Sequence, residues 1–166
     1  MTAQRRIYVA CLAAYNAGIL YGKWIDCEDK DAFEIQEEVD EMLKGSPCPG
    51  AEEWAIHDHE GFGGLLGEHD SFDRVAELNA ALNEHGDALL AFLEAFGRDT
   101  DIEKFEEAYR GQWDSPEAFA EDWAIEADVI RPDHPLYAYV DWTQYWNADL
   151  RHSFTEQDGH FFWSDF

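Results

Sequence analysis

The chain has 166 residues, of which 37 are Asp or Glu and 11 are Lys or Arg, for a formal net charge of −26. That sign excludes direct binding to nucleic-acid phosphate or to an anionic membrane, both of which demand basic patches. Aromatic residues at 15% exclude a disordered acidic tail, because so many large apolar groups supply cores.

Residues 1–25 hold no Asp or Glu and carry +3 through Arg5, Arg6 and Lys23. Arg5-Arg6 ahead of residues 7–14 has the outline of a secretory signal. Tyr15-Asn16 and Gly18, however, run on into a second apolar stretch with no cleavage region, so the segment reads as a first strand. Residues 7–12 and 20–25 are strand-like, with Asn16-Ala17-Gly18 as turn chemistry between them. Residues 33–44 make an amphipathic helix with Ile35, Val39, Met42 and Leu43 on one face, stopped by Gly45-Ser46-Pro47. Residues 53–59 alternate as a third strand. The first segment, 1–68, is therefore a small sheet with one helix, and its part from 26 to 68 is net −12.

The central segment, 69–130, reads as helical and is net −13. Ser71 caps a helix carrying Val75, Leu78 and Leu82 that ends at Gly86. Asp87 starts another, apolar nearly all round with Leu89, Leu90, Phe92, Leu93 and Phe96, and Gly97 closes it. Thr100-Asp101-Ile102-Glu103 reads as a capping box for a helix that turns Ile102, Phe105 and Tyr109 inward. Ser115-Pro116 opens the next helix, with Phe119 and Trp123 as its inner stripe.

The last segment, 131–166, is net −4. Asp141 caps a short aromatic helix ending near Leu150, and Asp158-Gly159 between two short apolar runs is the strongest hairpin signal in the chain. There is no internal repeat. Three modules in series (sheet plus helix, helical middle, helix plus β-hairpin) predict an elongated α+β molecule. No run approaches the ~20 apolar residues that span a membrane. Cys11, Cys27 and Cys48 are an odd number at spacings of neither a zinc site nor a disulfide framework, and read as reduced thiols in a cytoplasmic protein.

The carboxylates follow helical spacing. Glu34, Glu37 and Glu41 share the face opposite the first helix's apolar stripe. Glu103, Glu106 and Glu107 recur with only Lys104 among them, and Glu117, Glu121, Asp122 and Glu126 have no base between them. Like charges at such spacing cost roughly 0.2–0.5 kcal/mol per pair, so a sequence shaped by stability alone would interleave lysines. One explanation is a solvated face, and another is a salt-adapted acidic surface. A functional one is imitation of phosphates: at one charge per ~1.7 Å, the net charge of −26 corresponds to roughly 44 Å of duplex.

Other chemistry competes weakly. His57-Asp58-His59 with Glu60 has ligand types that suit zinc, manganese or iron, as in a metal-dependent hydrolase, with His69-Asp70 as a loose third donor. Solvent-edge residues at a strand end account for the same pattern. Gly61-Phe62-Gly63-Gly64 lacks the Lys and Ser/Thr of a phosphate cradle, and no nucleophile elbow or dinucleotide fingerprint occurs. Trp142, Tyr145 and Trp146, at i, i+3 and i+4, form an aromatic stripe that serves either a core or a dimer contact.

Three blocks resemble the ArdA-type antirestriction proteins. They are Ile7-Tyr8-Val9-Ala10 with Tyr15-Asn16-Ala17-Gly18 and Gly22-Lys23-Trp24-Ile25-Asp26; Glu52-Glu53-Trp54-Ala55-Ile56-His57-Asp58-His59-Glu60; and Tyr139-Val140-Asp141-Trp142 through Asp149-Leu150, followed by Gly159-His160-Phe161-Phe162-Trp163. Ala148 departs from the pattern, since many relatives carry arginine before the aspartate. The resemblance implies a DNA mimic that inhibits Type I restriction-modification enzymes and lets incoming plasmid or transposon DNA escape cleavage. It also implies a homodimer joined through the C-terminal region. On this reading the protein is no enzyme, needs no cofactor or metal, and works by placing its acidic strips in the enzyme's DNA-binding groove.

Overall fold

Ile7, Val9 and Cys11 point into the first core from β1 (Arg6–Cys11), the centre of a three-stranded antiparallel sheet. The computed structural model describes residues 4–166. β2 (Gly22–Asp26) pairs on one side of β1, from Arg6 opposite Asp26 to Ala10 opposite Gly22, and β3 (Trp54–Glu60) pairs on the other. Gly22 is required by closeness: a Cβ there would lie 2.5 Å from the Val9 carbonyl oxygen and 2.7 Å from the Tyr8 ring. The connection from β1 to β2 differs from the simple turn the sequence predicts. Leu12 leaves the strand to open a five-residue helix, α1 (Leu12–Asn16), because its N–H is taken by the Glu53 carbonyl and Ala14 finds a buried place. The second strand accordingly begins at Gly22, leaving Leu20 87% exposed.

α2 (Ala32–Lys44) buries Ile35, Val39, Met42 and Leu43 and packs against β1, β2 and α3 (Phe72–His85). Its start is a reciprocal cap: Asp31 accepts the Glu34 N–H at 2.9 Å while Glu34 accepts the Asp31 N–H at 3.0 Å. Ser71 caps α3 by accepting the Arg74 N–H, and Gly86, at φ 61°, ends it. One polar contact ties α3 to the sheet. Arg5, 6% exposed, donates through Nε to Asn79 Oδ1 at 2.6 Å and through its terminal nitrogen to Asn83 Oδ1. Asn79, itself buried, donates onward to the Cys27 carbonyl at 2.8 Å.

α4 (Asp87–Phe96) follows, buried through Ala88, Leu89, Ala91, Phe92 and Leu93. The chain divides into two compact units, Met1–Leu90 and Ala91–Phe166. Of the three segments drawn from the sequence, 1–68 falls within the first unit, 131–166 within the second, and 69–130 is shared. The first three residues of 1–68 lie outside the described ones.

The second unit is built on β4 (Tyr109–Gln112), β5 (Phe154–Gln157) and β6 (His160–Trp163), in the order β4-β6-β5. β5 and β6 form the hairpin expected at Asp158-Gly159, whose φ values of 51° and 83° are those of a type I′ turn. As the central strand, β6 buries side chains on both faces. Phe161 stacks on Phe119 of α6 (Pro116–Glu126) at 4.5 Å, and Phe162 meets Phe92, Tyr109 and Phe105 at 5.5, 5.5 and 6.3 Å. α7 (Trp142–Ala148) covers the Phe161 side together with Phe154 and Leu150.

Two readings of the middle need correction. The cap before residue 102 is Asp101, which accepts the Glu103 N–H, whereas the Thr100 hydroxyl donates to the Phe96 carbonyl. The helix beyond it is only a 3-10 turn at Ile102–Lys104 and a short α5 (Phe105–Ala108). Tyr109 leaves it to join β4, because the edge of β6 offers partners at Phe162, Phe161 and His160. Among the described residues no helix is long and apolar enough to cross a membrane.

The Arg5 network predicts a measurable cost. Asn79→Ala removes the acceptor of a buried guanidinium and the donor to the Cys27 carbonyl. Loss of one partner of a buried charged hydrogen bond is expected to cost about 2–4 kcal/mol in urea unfolding, with the slope unchanged. An exposed change of the same kind, Asn147→Ala, serves as the control and should stay within about 0.5 kcal/mol.

Candidate functional site

None of the 37 carboxylates is buried, so the whole acidic complement stands at or near the surface. The cations are too few to cover it, and the four lysines are already engaged. Lys23 and Lys30 both hold Glu38, Lys44 pairs with Glu41 at 3.2 Å, and Lys104 with Glu107 at 3.2 Å. Glu38 is half-buried, which raises its pKa, but the two lysines outweigh that and hold it below the ordinary carboxylate range. Arg6 pairs with Glu60 at 2.6 Å, and one terminal nitrogen of Arg110 donates to the Glu107 and Tyr109 carbonyls.

The three predicted strips differ in how they are held. On α2, Glu34, Glu37 and Glu41 are exposed, yet Glu34 closes the N-terminal cap and Glu41 faces Lys44, which leaves Glu37 as the open member. Glu103, Glu106 and Glu107 are exposed around α5, with Lys104 on Glu107.

The α6 strip is of another kind. Thr143 donates its hydroxyl to Glu117 at 3.1 Å, the Tyr137 hydroxyl donates to Glu121, and the Trp113 indole N–H donates to Asp122 at 2.7 Å. Glu126, one turn on, is exposed. No lysine or arginine stands within ion-pair distance of Glu117, Glu121 or Asp122 among the described residues. Hydrogen bonds from its own backbone N–H, from Thr143 and from Ser115 hold Glu117 below the ordinary carboxylate range. Glu117, Glu121 and Asp122 are thus held by hydrogen bonds from neutral groups rather than by ion pairs. No local pattern in the sequence marks Trp113, Tyr137 and Thr143 for this role, because none lies on α6.

Trp142, Tyr145 and Trp146 are half-buried and pack against the Phe119–Phe161 core. Trp146 stands edge-on to Phe119 at 5.8 Å and to Phe161 at 5.6 Å, and Trp142 meets Tyr137 at 5.7 Å. One face of the stripe is therefore committed to the fold.

His57, Asp58 and His59 line an open cavity of about 450 Å³ with Tyr15 and Glu68, but each turns to a different neighbour. Val9 is opposite Ile56 and Tyr8 opposite Asp58, so His57 is the extra residue of a bulge, which interrupts the alternation a His-x-His chelate relies on. His57 Nε2 lies 3.5 Å from Glu68 and its ring is edge-on to Tyr15 at 4.8 Å. Asp58 accepts the His59 backbone N–H, and His59 faces the edge of Phe62.

A family model described as antirestriction protein (ArdA) matches residues 7–162, which takes in the three blocks of sequence quoted above except for the last residue, Trp163. Comparison with curated proteins finds no match.

The Tyr137–Glu121 bond can be read by titration. The hydrogen bond to Glu121, with burial second, pushes the Tyr137 phenol up to about 12. A folded value above the unfolded ~10 means that this contribution to stability is whole below pH ~10 and is lost as the pH rises through the folded value. Tyrosinate absorbance should show, beyond the raised Tyr109 and Tyr145, a last-ionising tyrosine at about 12 that vanishes in Tyr137→Phe and moves back toward the ordinary value in Glu121→Gln.

Proposed function

Because the chain belongs to the ArdA family of antirestriction proteins, we propose that it inhibits Type I restriction-modification enzymes as a stoichiometric, non-catalytic mimic of DNA. The observation that carries this reading is the condition of the α6 carboxylates, fixed by Thr143, Tyr137 and Trp113 yet not neutralised. A groove built for a duplex presents lysines and arginines at the spacing of phosphates. A carboxylate already paired with a lysine of its own chain has little left to offer such a groove. A freely rotating one loses about 0.5–1.5 kcal/mol of side-chain freedom when it docks. Neutral donors lower that second cost without cancelling the charge.

The surface comprises Glu34, Glu37, Glu41, Glu103, Glu106, Glu107, Glu117, Glu121, Asp122 and Glu126, of which Glu117, Glu121 and Asp122 are the members held by neutral donors. Attraction of opposite charge supplies fast association that weakens as salt is added. Carboxylates hold a thinner counterion layer than DNA, so the salt slope is shallower than that of the duplex displaced. The active species is a homodimer joined through the C-terminal region, with the outer faces of Trp142 and Trp146 at the contact. Val129, Leu136 and Tyr139, exposed by 62, 60 and 83%, lie in the weakly charged stretch just before it, where two strongly acidic chains approach with least repulsion. The protein acts in the cytoplasm on behalf of a mobile genetic element, and it needs no cofactor.

The test is a titration into a restriction assay on unmodified DNA, with the DNA concentration varied. The expected result is an equivalence point, relief by excess DNA, and loss of inhibition as salt rises. Uncut-to-cut ratios unchanged by excess protein at low salt would overturn the reading. Single charge reversals on α6 should alter the inhibition constant by no more than about threefold, whereas Glu117→Lys, Glu121→Lys and Glu126→Lys together should weaken it by at least about tenfold.

A further inference from the structure

The second unit also holds a concave site of about 520 Å³ on which the carboxylate strips make no claim. Tyr145 and Asp149 are four residues apart and share a face as α7 runs out, the Asp149 N–H still donating to the Tyr145 carbonyl at 3.1 Å. Trp123 of α6 stands edge-on to Phe154 at 4.9 Å, and Trp163 closes β6 with 37% of its surface exposed. These four rings wall the site, and the side chains of Asp149 and Arg110 stand at it.

Aromatic faces carry the negative end of a quadrupole and attract a cation laid against them. Asp149 adds a full charge, and the net −26 of the chain biases the same way. The chain itself supplies the precedent, since the Arg110 guanidinium lies 5.7 Å over the Trp163 ring. Its bonds to the Glu107 and Tyr109 carbonyls hold it on that one wall, and no ion pair joins it to Asp149 among the described residues. Burial, with the charge of Asp149 second, keeps the Tyr145 phenol above its ordinary value, so that wall stays neutral.

We propose that this pocket receives one arginine side chain of the protein bound by the acidic surface, its guanidinium against the aromatic walls and its charge on Asp149. The identity of the partner rests on the inhibitor reading, whereas the chemistry of the pocket does not. A diffuse field of carboxylates attracts a basic groove but does not set its register. A single desolvated anchor does.

The experiment uses the full chain and no restriction enzyme, so its outcome is independent of whether inhibition is found. N-acetyl-arginine methylamide is titrated against the neutral isostere N-acetyl-citrulline methylamide and against acetate, with the indole N–H resonances of Trp123 and Trp163 as the readout. The arginine compound should shift both indoles and bind at least about fivefold tighter than citrulline. Asp149→Asn and Trp163→Ala should each weaken it by about threefold or more. If Trp163→Ala disturbs the fold, the exposed, nearly isosteric Asp149→Asn carries the comparison alone. Equal binding of citrulline, preferential binding of acetate beside Arg110, or an arginine response elsewhere than at these two indoles overturns the proposal.

Discussion

Thirty-seven carboxylates cannot be neutralised by eleven bases, and the arrangement of polar groups in this protein follows from that shortage. Taking an ion out of water costs several kcal/mol unless a good partner meets it. With cations scarce, every Asp and Glu stays at or near the surface, and among the described residues the buried side chains are hydrophobic apart from Arg5, Asn79 and His160. The few lysines are used locally, two of them on the single half-buried Glu38. Arginines pair with Glu60, Glu77, Asp99 and Asp128, whereas Glu117, Glu121 and Asp122 have uncharged donors as their partners.

The same economy appears with the sign reversed at Arg5. A carboxylate is the obvious partner for a buried guanidinium in so acidic a chain, yet Arg5 is met by the amide oxygens of Asn79 and Asn83. Amide dipoles solvate the charge, and Asn79 passes the chain of bonds on to the Cys27 carbonyl, so β1, α3 and the end of β2 are joined by groups carrying no net negative charge. On α6 a hydroxyl, a phenol and an indole do the corresponding work for three anions. In both places charge is held in position without being cancelled. It is this condition of the anions on which the proposed mimicry of DNA rests.

Much of this fold is legible in the sequence where one face of an element is buried and its period is clean. α2, α3, α6 and the Asp158-Gly159 hairpin fall close to their expected bounds because capping residues and turn chemistry agree with the apolar spacing. β4 is not legible. Tyr109-Arg110-Gly111-Gln112 has no alternation of its own and becomes a strand only because β6 offers it an edge. α1 escapes for a similar reason, its first N–H being claimed by Glu53, far along the chain. Of the candidate site, the spacing of the acids on α6 is readable, whereas Thr143 and Tyr137 reach them from outside the helix and no local pattern records that. The His57-Asp58-His59 run shows the converse, since its ligand-like spacing is undone by a bulge visible only in the strand register.

The order of strands within the two sheets bears on how the protein is made. In the first sheet the central strand, β1, leaves the ribosome before either neighbour, so β2 and β3 each arrive at a template already in place. In the second, the central strand is β6, the last of its three to emerge, and β4 and β5 have no partner in their own sheet until it does. Phe119 lacks its stacking partner, Phe161, for the same interval. The first unit is therefore suited to assembly during translation, while the aromatic half waits as an unclosed nascent chain. That interval of exposure is where a chaperone would be of most use to it.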